Sequence, residues 1–264
     1  MNIGLIIIGD EILSGKRTDK HLSRVIELLA ARGLALAWAR YVGDDRERIT
    51  EVLRDAFASG DLVFSCGGIG ATPDDHTRQC AAAALGVPLQ LHPEARQLIV
   101  DRMRDVAREQ GAVFDPDRAD NVHRLNMGVF PAGATIVPNP YNRIPGFSVG
   151  HVHFVPGFPV MAWPMIEWLL DQRYAHLHGG QRLRERSVIV FGSMEATLTP
   201  VMEDVEARFP GIKVFSLPSV DHPDYGRHIE LGVKGRSDSL DLAFAALRDG
   251  VLSLGGRLGP ELVR

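Results

Sequence analysis

The chain has 264 residues, enough for one large domain or two modest ones, and its 45% apolar and 23% charged residues match a globular protein that buries a core. A formal net charge of -4 supplies no basic excess for nucleic-acid binding. Two cysteines, Cys66 and Cys80, are too few for a disulfide framework; with no signal-peptide pattern and no apolar run near the roughly 20 residues of a membrane span, the expectation is a cytoplasmic protein.

Gly4–Ile8 is short and nearly all apolar, the mark of a strand buried on both faces of a parallel sheet. Gly9-Asp10-Glu11 breaks it. Leu22, Val25, Ile26 and Leu29 then repeat at helical spacing before Gly33. Leu34–Val42 reads as a second strand, Ile49–Phe57 as a helix closed by Gly60, and Asp61–Ser65 as a third strand running into a glycine loop. A helix starting near Asp74 or Asp75 ends at Gly86, and a longer amphipathic helix spans Pro93–Gln110. Gly111–Gly133 has little periodicity. Thr135–Pro138 and Val152–Pro156 read as short strands around a loop, Asn139–Gly150; Pro164 should kink the following helix or mark its true start. His176–Arg182 reads as a linker, after which Ser187–Phe191, Ala196–Phe209, Ile212–Leu217, His228–Lys234 and Ser239–Leu247 form a β-α-β-β-α unit, with a fraying Gly255–Arg264. The fold expected is α/β: a Rossmann-like, three-layer αβα domain over residues 1–175 and a smaller α/β domain over residues 183–254.

The strongest chemical signal is Cys66-Gly67-Gly68-Ile69-Gly70-Ala71-Thr72-Pro73-Asp74-Asp75-His76-Thr77, at the carboxyl end of an apolar strand and the start of a helix. Gly67, Gly68 and Gly70 permit close approach to the backbone, and free N–H groups there suit a phosphate. The loop has neither the Lys-Ser/Thr ending of a P-loop nor the dinucleotide-fingerprint spacing. A plain glycine turn followed by helix-capping residues is the competing reading. Asp10-Glu11 and Asp44-Asp45 follow strands whose ends face the same sheet edge, so their carboxylates can meet the loop. Carboxylates beside phosphates require a divalent cation such as Mg²⁺ between them. Asp45 alone suits a helix cap.

Gly9-Asp10-Glu11-Ile12-Leu13-Ser14-Gly15, Val42-Gly43-Asp44-Asp45, the glycine loop through Thr77, and Pro156-Gly157-Phe158-Pro159 occur in order. Together they resemble the MoaB/Mog molybdopterin-binding domain, most closely the amino-terminal part of CinA-like proteins, over about residues 1–170. The resemblance implies a pocket for a pterin phosphate or a nucleotide, and a homo-oligomer. It implies contacts from Gly9, Asp10, Glu11, Gly67, Gly68, Ile69, Gly70, Thr72, Asp74, Thr77, Pro156 and Gly157. In the wider family a Mg²⁺-dependent adenylylation or its reversal uses two aspartates, matched here by Asp44 and Asp75, the expected catalytic and metal-binding pair. CinA-like members are linked instead to ADP-ribose pyrophosphatase activity; their nicotinamide-mononucleotide deamidase is a further domain, expected to lie outside this chain. Departures are His21 where Asn is usual, Cys66 for Thr or Ser, and Ala71 for a small residue or proline. His21 either alters base or ribose contacts or is a half-exposed helix-start histidine.

Three functions stay open: a Mg²⁺-dependent hydrolase of a nucleotide diphosphate such as ADP-ribose, a molybdopterin-binding or adenylyl-transfer protein, and a non-catalytic nucleotide-binding module. The expected partner is a phosphorylated small molecule, with no nucleic acid and no membrane. In the second domain Glu195 reads as a cap, and His222 and Asp224 as turn residues. His151 and His153 share a strand face without a third zinc ligand nearby.

Overall fold

The computed structural model describes residues 1–179, 184–235 and 238–263. The chain divides into two compact units, Met1–His178 and Gly179–Arg264. Residues 180–182 of the expected linker lie outside the described residues; Ala175–Leu177 forms a short 3₁₀ turn.

The first unit runs β1 (Ile3–Ile8), α1 (Asp10–Leu13), α2 (His21–Ala30), β2 (Trp38–Val42), α3 (Arg46–Ser59), β3 (Leu62–Cys66), α4 (Thr77–Leu85), β4 (Leu89–Leu91) and α5 (Pro93–Glu109). It continues through α6 (Ala119–Arg124), β5 (Val129–Pro131), β6 (Thr135–Val137), β7 (Gly146–Val149), β8 (Val152–Val155) and α7 (Pro159–Gln172). The main sheet has the order β2-β1-β3-β8-β7-β6, and β4 pairs with β5 apart from it. β2, β1, β3 and β8 pair in parallel, while β7 runs antiparallel to both β8 and β6.

Strand β1 shows why three layers form. Its six residues are all buried, and their side chains alternate between faces. Ile3, Leu5 and Ile7 pack with Val25 and Leu29 of α2 and with Ile166 of α7. Ile6 and Ile8 join Ile49 and Leu53 of α3 and Ala81 of α4 on the other face. Fully burying a side chain of this size contributes about 1.5–3 kcal/mol, so the continuous apolar run requires helices on both sides. Because β2 and β3 lie on opposite sides of β1, the carboxyl ends of β1 and β3 flank the switch in strand order where α/β ligands bind.

Four elements differ from expectation. Helix α4 begins at Thr77, because Thr72 and Asp75 close a turn of their own. β2 begins at Trp38, whose ring crosses Gly4 so closely that a Cβ there would lie 2.1 Å from it. The expected loop 139–150 contains β7, zipped between β6 and β8. Pro164 does not mark the start of α7, which begins at Pro159: Ala162, Met165, Ile166, Leu169 and Leu170 bury one face, which offsets a missing backbone donor.

Behind β7 and β8 lies a closed polar network. His153 is fully buried and bridges Ser148 Oγ at 2.6 Å and the Tyr174 hydroxyl at 2.7 Å. Arg173 donates to Ser148 Oγ at 3.0 Å and to the Ile136 carbonyl at 2.8 Å, while His151 Nδ1 meets Tyr174 at 3.1 Å. Burial pushes the His153 imidazole down from 6.5 to about 3, so the ring is neutral.

The second unit comprises β9 (Arg184–Phe191), α8 (Glu195–Arg208), β10 (Ile212–His222), β11 (Gly226–Gly235), α9 (Leu240–Ser253) and β12 (Arg257–Val263). Its antiparallel sheet, in the order β10-β11-β9-β12, is the split-βαβ arrangement. The segment expected to fray is therefore strand β12, held by the backbone of β9. Val188, Val190, Leu231 and Val233 face Leu198, Phe244 and Leu247 in a separate core. Glu195 accepts from Ser216 Oγ at 2.7 Å, and His222 Nδ1 accepts from the Asp224 amide in the β10–β11 turn. No helix among the described residues is long and apolar enough to cross a membrane.

Candidate functional site

The loop after β3 takes its shape from backbone that a side chain would obstruct. Gly67 has φ +108°, and a Cβ there would lie 2.3 Å from the Ile8 carbonyl oxygen. Gly68 has φ +68°, and its Cβ would lie 2.1 Å from Thr77 Oγ1. Thr77 is fully buried; its hydroxyl donates to the Gly67 carbonyl and its amide to the Gly68 carbonyl, both at 3.0 Å. It clamps the loop against α4 and does not line the pocket. The amides of Gly68, Ile69 and Gly70 have no protein acceptor among the described residues.

These three residues line a pocket of about 490 Å³, within the range of small-molecule sites. Of the residues expected at a ligand, Gly9, Glu11, Asp44, Thr72, Asp74, Asp75, Pro156 and Gly157 line it together with Gly67, Gly68, Ile69 and Gly70. Asp10 stands behind them: its Oδ1 accepts from the Asp44 amide at 3.1 Å, while Asp44 Oδ2 accepts from the Asp10 amide at 2.9 Å. This reciprocal bracket fixes the ends of β1 and β2 to one another. Gly43 permits it, since a Cβ there would lie 2.5 Å from Asp10 Oδ1. Asp75 Oδ2 accepts from the Thr72 amide at 2.8 Å and from its hydroxyl at 2.5 Å. Asp45 caps α3 through the Arg48 amide.

Negative charge accumulates here. The Asp44 carboxyl is pushed above its usual range by burial, with further contributions from the charges of Asp10, Glu11 and Asp74, against the lowering effect of the Asp10 amide. Arg17 is the cation lining the pocket, and among the described residues it has no carboxylate partner. No group of three or more His, Cys, Asp or Glu residues among those described forms a metal cage.

Several lining residues escaped sequence reasoning: Arg17, Asn139, Asn142, Phe158 and Met161. Asn139 is buried and ties its loop through Asn142 Oδ1 and the Ile144 carbonyl, giving the pocket a fixed wall. The Asn-Pro-Tyr-Asn run was the available signal, since Asn side chains that bond nearby backbone shape such loops. His21 is buried, not half-exposed; its Nε2 meets the Gly157 carbonyl at 3.0 Å, and it lines an adjoining cavity of about 360 Å³ with Arg17, Lys20 and Cys66. Burial raises the Cys66 thiol's pKa, so it stays protonated.

Known proteins match this chain over the domain that carries the glycine cradle. Residues 4–176 match the family described as a probable molybdopterin binding domain, and the chain belongs to that family. More narrowly, it is similar to CinA-like proteins. The CinA-like protein of Anaeromyxobacter dehalogenans is 32% identical over 217 residues, covering 77% of this chain and 49% of the relative. That of Geobacter metallireducens is 28% identical over 272 residues, covering 100% of this chain and 61% of the relative. The chain thus spans about half the length of the first of these relatives. The crystal structure of CinA from Thermoplasma acidophilum, described as of unknown function, is 26% identical with a TM-score of 0.54, covering 65% of this chain and 98% of that one.

Proposed function

We propose that the pocket binds a phosphorylated small molecule, and that the chain hydrolyses a nucleotide diphosphate such as ADP-ribose with the help of Mg²⁺. One observation carries this reading: the unengaged amides of Gly68, Ile69 and Gly70 share a single cavity with the carboxylates of Glu11, Asp44, Asp74 and Asp75. Such amides suit a phosphate, and such carboxylates repel it unless a cation intervenes.

The donor set fits Mg²⁺, which takes one or two carboxylates and completes its shell with water and substrate phosphates instead of a protein cage. Asp44 and Asp75 would hold it; each has one oxygen fixed by a backbone amide and the other without a protein donor. When bound, the ion neutralises phosphate charge and lowers the pKa of its water. The chain's own part is positioning. Loop amides fix one phosphate, Arg17 faces the anionic ligand, and the Asp10–Asp44 and Thr72–Asp75 bonds hold both carboxylates in place before substrate arrives.

A second reading is supported by the family's description as a probable molybdopterin binding domain: a pterin phosphate takes the cradle, with adenylyl transfer at the same aspartates. The deciding experiment incubates the protein with ADP-ribose, dinucleotides and adenylylated molybdopterin, with and without Mg²⁺, and separates the products chromatographically. AMP released from ADP-ribose only with Mg²⁺ supports the first reading. Turnover of the pterin substrate alone supports the second. Tight binding without any turnover leaves a non-catalytic module, and failure to bind any of them removes the cradle from function.

A further inference from the structure

Arg78, the second residue of α4, is only 4% exposed, yet no carboxylate among the described residues lies within ion-pair distance of it. Its Nη2 donates to the Gly70 carbonyl at 2.5 Å, while its Nε is buried with no partner. A guanidinium taken out of water is costly, and here burial outweighs the opposing charge of the Asp75 carboxylate. Arg78 lines a second pocket of about 460 Å³, together with Arg46, His76, Gln79, His123 and Asn126. The carboxylate on this wall is Asp75, whose Oδ2 already accepts twice from Thr72. His123 Nε2 meets the Ala71 carbonyl at 2.7 Å.

We propose that this pocket is a second anion site, distinct from the cradle, that takes a phosphate group through Arg46 and Arg78. Phosphate matches the donors. A guanidinium fork bonds two oxygens of one tetrahedral group, and among the described residues neither Arg46 nor Arg78 has a carboxylate within ion-pair distance. Free phosphate and the phosphate of a sugar or nucleotide present the same oxygens. The cavity's size leaves room for the larger ligand. Both pockets share Ala71, Thr72 and Asp75, and Arg78 and His123 hold the carbonyls of Gly70 and Ala71. An anion in this pocket therefore braces the segment that carries Asp75.

The site is tested on the ¹⁵N-labelled protein by titrating inorganic phosphate, then ribose 5-phosphate, while following the arginine Nε–H and histidine ring signals by NMR. Arg46 is exposed, so Arg46→Ala tests the site without burdening the core. The Arg78 Nε–H signal is expected to shift saturably in the parent, with affinity about tenfold weaker in Arg46→Ala and unchanged in Arg17→Ala, which alters only the cradle side. Tighter binding of ribose 5-phosphate identifies a phosphate ester as the occupant, and equal binding identifies the free anion; both support the site. An Arg78 signal that does not move with either probe overturns it. So does a shift weakened by Arg17→Ala and not by Arg46→Ala, since the anion then sits in the cradle. Neither result bears on hydrolysis, which is read separately from product release.

Discussion

Two polar regions of the first unit make opposite use of similar groups. Around His153, ring nitrogens, hydroxyls and a guanidinium satisfy one another inside a closed space. Around Gly68–Gly70, amides without a protein acceptor share a cavity with Asp44 and Asp75, each of which keeps one carboxylate oxygen without a protein donor. A satisfied network specifies one arrangement of strands and helix. An unsatisfied one keeps free hydrogen-bonding capacity, which the proposed ligand would use. Ser148 and His153 resemble a nucleophile and its base in composition, yet the histidine is buried and held neutral, so the pair serves the fold. Residue type alone does not separate the two roles; access and partner count do.

The comparison breaks most visibly at Asp75. Asp75→Asn keeps an acceptor for Thr72 but removes the charge, so kcat/KM on the substrate found by the panel should fall about a hundred- to ten-thousandfold with little change in Tm. Near-parental turnover would return Asp75 to loop architecture. Adding Asp44→Asn should cost less than the sum of the two single losses if both act on one cation.

Gly68→Ala should lose both properties together. The new Cβ meets Thr77 Oγ1 in a backbone conformation with φ +68°, so a destabilisation of about 1–3 kcal/mol should accompany loss of ligand binding. Denaturant titration and calorimetry on one preparation check this; intact stability with lost affinity would place the effect on the ligand alone. On the closed side, His153→Leu should cost about 1–3 kcal/mol by taking one hydrogen-bond partner each from Ser148 and Tyr174, while leaving affinity at the cradle unchanged.

Acid separates the regions more gently. The His153 ring has its pKa depressed on folding, so the unfolded chain takes up a proton that the native ring refuses. Its stability contribution is complete above pH 6.5 and is lost as the pH falls toward about 3, by up to about 1.4 kcal/mol per pH unit. Asp44 runs the other way. Its raised pKa costs stability at neutral pH, a cost relieved as acid protonates the carboxyl. Without added cation, Asp44→Asn should therefore raise Tm slightly at pH 7, and an unchanged or lowered Tm would show that the Asp10 bond outweighs the repulsion.

How far the sequence carried can be seen in particular elements. β1 and β3 were legible because burial on both faces leaves an unbroken apolar run, and the cradle because three glycines precede a helix. β7 was hidden: its four residues follow a Pro-Asn turn, and Gly146 packs under the Phe154 carbonyl, a contact no pattern announces. Asp44 was placed by its position at a strand end, but its exchange of bonds with Asp10 joins residues 34 apart in sequence. The burial of Arg78 drew no reading from the sequence, since it comes with a bond from its Nη2 to the Gly70 carbonyl eight residues back.

Strand β12 bears on how the second unit is made. It pairs with β9, matching Arg257 with Phe191 and Val263 with Arg186, so that sheet gains its fourth strand only after the intervening α8, β10, β11 and α9 have been synthesised. Pairings so distant along the chain require a large loop to close and tend to form slowly. While that lasts, one side of β9 is an open strand edge, and open edges recruit other chains. A ribosome-bound chain would thus carry a finished first unit beside a second one with an unpaired edge, the stage at which a chaperone would have most to protect.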